Sequence, residues 1–215
     1  MAKPTKVKIP IQPKVPKILS EEICYLEEDS LITGHIDASS DFSCQTTSYQ
    51  AIEQSHFIGT HFSSSLFKNF EVQDTIFENC DFSNCEMIGC SFIRVIFKNC
   101  RLTGSNFAEG TLKDVQFIDC INDLSSYAYA TLKIINFKNC SLKESDFYEI
   151  TWQHLTLNQC NLTGSSWFNT SLAGLNLSSC TFEKIAFSPE KLSGLTISAL
   201  QSEVIATELG LTVEY

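Results

Sequence analysis

From Phe57 to Ile197 an apolar residue falls on every fifth position, beginning Phe57, Phe62, Phe67, Val72, Phe77, Phe82, Met87 and Phe92. Of the 29 positions on this phase only Asn122 is polar, whereas the overall 43% hydrophobic content would place about twelve apolar residues there by chance. A second period overlies the first: Cys80, Cys100, Cys120, Cys140, Cys160 and Cys180 recur every 20 residues. The residue two before each apolar centre is small or apolar, as at Ser65, Thr75, Cys80, Cys85, Val95 and Ser105. Most of the remaining positions are polar. Centre and preceding small residue therefore point inward together, as alternation along an extended chain requires. Four fives close one coil, and coils stack as a solenoid.

The expected fold is an all-β solenoid, a right-handed four-sided parallel β-helix over residues 55–197 with a C-terminal helix. Stacked at ~4.8 Å per coil, seven coils make a rod about 34 Å long. Like residues recur on like faces: Cys with Phe or Leu, Ser with an aromatic (105/107 to 165/167), and Val, Ile or Leu with Phe or Leu (95/97 to 175/177). Thirteen of the sixteen Phe lie on the centre phase, which makes the aromatics core rather than a ligand cage. Asn122 is expected to mark a defect, with residues 121–125 bulging and Ile121 or Leu124 partly replacing the missing apolar group.

The flanks break the pattern. Residues 1–17 hold four of the five prolines and five lysines, which predicts an extended, solvated arm. Residues 18–54 read as a cap and degraded first coils. In residues 198–215, Ser198 and Gln201 have capping-box spacing, and Leu200, Val204, Ile205 and Leu209 share one helical face. Gly210 stops that helix, and Leu211 to Tyr215 alternates like a short strand. The last coil ends on Leu192, Leu195 and Ile197. With Leu200, Val204, Ile205, Leu209, Leu211, Val213 and Tyr215 they offer more apolar surface than one narrow coil covers, and a homodimer through this module is expected.

The net charge is −10 and unevenly spread. Residues 21–90 carry thirteen acids and one base, residues 91–149 balance, and residues 150–182 carry no charge. An acidic body excludes nucleic acid as a direct ligand and suits a basic partner surface. Within one coil Glu71, Asp74, Glu78, Asp81 and Glu86 occupy non-core positions and form the expected partner-binding patch. The first twenty residues contain no apolar run, and nothing approaches the roughly eighteen apolar residues of a membrane span. A cytoplasmic protein with reduced thiols, free of membrane contact, is the expectation.

Spacing offers no chemistry. Cys80, Cys85 and Cys90 fall on inward positions and read as packing, so no metal is expected. His35, His56, His61 and His154 have no partner spacing and read as surface. Cys24 and Cys44 lie off the inward phase. No nucleophile has a base at a fixed offset, and no catalytic or cofactor-binding residue is assigned.

The repeated small–polar–Leu/Phe–polar–polar unit, over about 145 residues, resembles the pentapeptide-repeat family. The length near 215, the segment Phe182-Glu-Lys-Ile-Ala-Phe-Ser-Pro-Glu-Lys-Leu192 and the closing helix are similar to its Qnr/MfpA group, and the unbroken phase to the loop-poor Gram-positive type. That resemblance implies a non-enzymatic dimer that mimics DNA, binds DNA gyrase and topoisomerase IV, and protects them from quinolones. The alternatives are an immunity protein against a gyrase-directed toxin and a scaffold with an unrelated protein partner.

Overall fold

The structure is a computed structural model describing residues 7–22 and 24–214. It is a parallel β-solenoid of about 8 turns closed by one C-terminal helix. Its longest strands, Glu71–Glu78, Ser91–Lys98, Thr111–Ile118, Thr131–Lys138 and Thr151–Asn158, lie 20 residues apart and pair in parallel, Phe77 on Phe97, Phe97 on Phe117 and Phe117 on Phe137. The twenty-residue period thus becomes a column of identical positions. Along it the rings of Phe57, Phe77, Phe97, Phe117 and Phe137 stack with centroids 5.4, 5.2, 5.0 and 4.6 Å apart. A second column runs Phe107, Tyr127, Phe147 and Trp167 at 5.2, 5.0 and 4.1 Å. Each such ring, wholly removed from water, contributes about 1.5–3 kcal/mol.

The corners follow a rule that composition conceals. From Asp29 to Gly174 every fifth residue has positive φ, and among the described residues all 24 non-glycine residues in this conformation fall on that phase. Each lies two residues after a centre, where the backbone turns from one face to the next. Asn and Asp tolerate the left-handed region best, which explains Asn69, Asn79, Asn84, Asn99, Asn139 and Asn169. Cys44 is one of these corners, at φ 58°, which places a residue that had seemed out of phase. The corners reach back to residue 29, so residues 29–54 turn as the later coils do although Asp37 and Thr47 interrupt their apolar phase. Ile134, β-branched at φ 60°, is an outlier held by the coils around it.

The inward small residues have a chemical task. Cys80, Cys100, Cys120, Cys140 and Cys160 aim Sγ at the carbonyls of Phe57, Phe77, Phe97, Phe117 and Phe137, 3.3–3.5 Å away. Ser65, Cys85, Ser105 and Thr170 do the same to Phe42, Phe62, Phe82 and Phe147. Serine, threonine and cysteine recur there because they are small and also donors, and a buried carbonyl left unpaired costs about 1–3 kcal/mol. The ladder cysteines are buried and free.

Asn122 does not produce a bulge. It is fully buried, its N–H meets Ser141 O at 2.7 Å, and Ile121 bridges Arg101 and Ser141 in regular register. Ile121 and Leu124 are exposed rather than recruited inward. The expectation failed because the next centre is Tyr127: Asn122 Nδ2 donates to its hydroxyl at 2.9 Å, which pairs the amide nitrogen inside the core while the Asn122 Oδ1 stays buried without a partner. Burial, set against the hydrogen bond from Asn122, pushes the Tyr127 phenol far above its ordinary range.

Among the described residues no helix is long and apolar enough to cross a membrane.

Candidate partner-binding surface

The five carboxylates are not the uniform solvent-facing patch expected from their spacing. Asp74 is a corner residue at φ 50° and only 2% exposed. Twenty residues on, Arg94 occupies the adjacent corner and grips Asp74 with two 2.6 Å hydrogen bonds. Glu78 is paired with Lys98 at 2.7 Å and with His56 at 3.5 Å. The hydrogen bond from Arg94 holds the Asp74 carboxyl below its usual range, and that from Lys98 does the same for Glu78. No base lies within residues 71–90, but in a solenoid the neighbour in space is twenty residues away. Glu71 and Glu86 stay exposed and Asp81 half-buried, and among the described residues these three enter no ion pair. Glu86 accepts a hydrogen bond from Asn106 at 2.8 Å.

Asp74 has a second partner that explains its burial. Its Oδ1 accepts the backbone N–H of Lys14 at 3.0 Å, and Asp114 Oδ1 accepts that of Ile11 at 3.1 Å. The described part of the Lys/Pro-rich arm, residues 7–17, is docked through these two hydrogen bonds with Pro10 buried while most of its side chains face solvent, and residues 1–6 lie outside the described residues. The arm runs against the direction of coil growth. Three extended residues cover about 10 Å, and two coils at ~4.8 Å cover nearly the same distance, so arm N–H groups match alternate corners.

At the other end the helix spans Gln201–Glu208. Half of the expected capping box forms: Gln201 Oε1 accepts the Ser198 N–H at 2.8 Å, while no side chain caps the helix N-terminus. Gln201 is buried, and its Nε2 donates to the carbonyls of Leu177 and Cys180 at 2.8 and 2.7 Å. It therefore closes the backbone of the last coils. Of the expected interface, Leu192, Leu195, Val204 and Ile205 pack partly buried against the core, and Ile197 is half-buried. Leu200 is 90% exposed, and Leu209, Leu211 and Val213 are exposed as well. Gly210 ends the helix at φ 82°, but residues 211–214 form no strand. Leu211 N–H turns back to Ala206 O at 3.0 Å, taking the chain away from strand geometry. Tyr215 lies outside the described residues.

Sequence spacing also missed a cluster at the first coil. His35 is buried against Phe57, not on the surface. Asp37 is buried beside it, and Cys24 comes in from the cap. Burial and the Asp37 charge push the Cys24 thiol up to about 11, away from thiolate reactivity. His56 and His154 are half-buried, and His61 is exposed.

Residues 90–167 match the family described as pentapeptide repeat region. Among solved structures, the chain is similar to a trypsin-treated variant of QnrB1, a plasmid-mediated fluoroquinolone resistance protein, at 14% identity and TM-score 0.45, covering 88% of this chain and 100% of that one. It is also similar to HetL from Nostoc sp. strain PCC 7120, a pentapeptide-repeat protein involved in heterocyst differentiation regulation, at 14% identity and TM-score 0.42, covering 80% and 84%. No curated protein matches. At this identity and overlap neither relative's function passes to the present chain.

Proposed function

We propose that this chain, a pentapeptide-repeat protein, is a non-enzymatic binding protein for a basic protein surface built to hold DNA, with type II topoisomerases, DNA gyrase and topoisomerase IV, as its partner class. The observation that carries the reading is the acid left exposed on the N-terminal half of the rod. With Asp74 and Glu78 in ion pairs and Asp37 turned inward, ten of the thirteen acids in residues 21–90 remain exposed or half-buried outside these pairs. Such a surface attracts a cationic groove over a Debye length of roughly 8–10 Å, and salt weakens it. The likeness of residues 182–192 to the Qnr/MfpA group points to the topoisomerase, with protection against quinolones as the consequence. A homodimer through the exposed Leu200, Leu209, Leu211 and Val213 belongs to the same reading.

A supercoiling assay with gyrase, with and without a quinolone, tests it. Supercoiling is expected to survive quinolone concentrations that otherwise abolish it, and binding is expected to fall as salt rises. Replacing Glu71, Asp81 and Glu86 by Lys is expected to leave the fold intact and weaken binding. Unchanged affinity in that folded triple variant would reject the surface. The uncharged stretch 150–182 favours a second reading, a scaffold for a different protein. Absence of any gyrase contact by the native dimer or monomer would select it.

A further inference from the structure

We infer that the N-terminal end of the rod carries a divalent transition-metal site of the zinc class, formed by Cys24, His35 and Asp37. One ligand atom from each, a thiol sulfur, an imidazole nitrogen and a carboxylate oxygen, lies within 4.8 Å of the other two. The ligands of a tetrahedral zinc ion, bound at about 2.0–2.3 Å, stand roughly 3.3–3.8 Å apart, inside that limit, and thiolate, imidazole and carboxylate are its usual donors.

The placement is not what the coil itself would select. In the phase of fives, position 37 is a centre and position 35 its inward companion. One coil later these positions are Ser55 and Phe57, and two coils later Thr75 and Phe77, all buried. Only the first coil turns an imidazole and a carboxylate inward together, 5% and 7% exposed, and only there does the cap bring a thiol against them. Burying a carboxylate is costly unless it is paired or bound to metal.

The surroundings orient the donors. Ser40 Oγ donates to Asp37 Oδ1 at 2.5 Å and Thr60 Oγ1 to Oδ2 at 2.5 Å, with a longer 3.4 Å contact from Ser40 N–H to Oδ2. A carboxylate has about four acceptor positions, so one direction remains for a cation. Among the described residues no hydrogen bond engages the His35 ring, which rests on Phe57 at 6.1 Å between centroids. A cleft of about 440 Å³ lined by Glu21, Glu22, His35, Asp37 and Ser40 opens the site to solvent. The two glutamates make its mouth attractive to a cation. Three protein donors leave the fourth position to water. On binding, the Cys24 S–H bond breaks as the S–metal bond forms and the proton passes to water. Thiolate and carboxylate then balance the dication, and the imidazole adds no charge.

The test uses tag-free, chelator-treated full-length protein titrated calorimetrically with Zn²⁺, and in parallel with Co²⁺, whose thiolate charge-transfer absorption reports sulfur ligation. One equivalent of Zn²⁺ and a thiolate–cobalt band are expected. C24S should abolish the band and weaken uptake at least tenfold, and D37N should weaken uptake comparably. T60V, which loosens the carboxylate without removing a ligand, should cost about tenfold. C44S, at the exposed cysteine, should change nothing. Circular dichroism identifies any variant that fails to fold, and C24S, the mildest change, keeps the test decisive. Absence of stoichiometric uptake by the native chain, or uptake and band unaltered in folded C24S, would overturn the site.

Discussion

At the N-terminal end of the rod the first coil buries polar groups, His35 and Asp37, and an extended arm lies back over the corners through Asp74 and Asp114. At the C-terminal end a buried Gln201 amide closes the backbone, while Leu200, Leu209, Leu211 and Val213 remain exposed. A solenoid has the same problem at both ends, since its terminal coil lacks a neighbour to receive its hydrogen bonds and cover its core. Both ends satisfy terminal groups with the chain's own polar residues and both leave some apolar side chains exposed, Ile18, Tyr25 and Leu31 on the N-terminal cap and first coil, and Leu200, Leu209, Leu211 and Val213 clustered on and after the C-terminal helix. Satisfying backbone groups and covering apolar surface are separate tasks, and only the first is complete at the C-terminal end.

The largest effect expected from this contrast is on assembly. Truncation after Ser198 is expected to remove self-association, and light scattering at tens of micromolar should report about half the native mass or an aggregating end. A full-length chain that stays monomeric at that concentration would show that the apolar end is not an interface. Removing residues 1–17 is expected to leave the mass per particle unchanged apart from the deletion.

Next in size is Gln201→Ala, which orphans the carbonyl of Cys180 and leaves that of Leu177 with only the Cys180 N–H. Its expected cost is about 1–3 kcal/mol in chemical denaturation. The middle of the rod supplies a control. Asn122→Leu restores the apolar phase yet strands the Tyr127 hydroxyl, and is expected to cost about 1–2 kcal/mol. Adding Tyr127→Phe should recover most of that loss, because no polar group then remains unpaired. Additive losses in the double variant would mean that the Asn122–Tyr127 contact does not matter.

A smaller effect is expected where the arm docks. Asp74→Asn removes the charged grip of Arg94 and should release the arm, at a cost of about 1 kcal/mol, seen as faster tryptic cleavage at Lys14. The folded Asp74 carboxyl is held below its unfolded value, so its contribution is complete above that ordinary value and is lost as pH falls through the lowered one. Arm protection should therefore persist from neutrality to about pH 4 and decline below it. Leu200, Leu209, Leu211 and Val213 do not titrate, so assembly through them should not follow this titration. Lys98→Ala, at a partly exposed pair, is expected to change stability by less than about 1 kcal/mol.

The coil, its four faces, the aromatic columns and the buried cysteines were all legible from the chain alone. The reason is physical: every residue repeats the environment of the one twenty positions away, so a one-dimensional period carries the packing. The corner rule was half legible, in the recurrent Asn, and the donor role of the inward Ser, Thr and Cys was hidden behind their small size. What only tertiary structure decided were contacts that cross the period. The arm returns to corners 60 and 103 residues away, and Asn122 finds Tyr127 one centre further on, whereas the Arg94–Asp74 pair, 20 residues apart, follows the period itself. Cys24, His35 and Asp37 meet because a cap outside the repeat folds onto the first coil. Repetition determines what each coil buries. Where the repeat stops, no neighbour dictates the next contact, and the fold in three dimensions selects it.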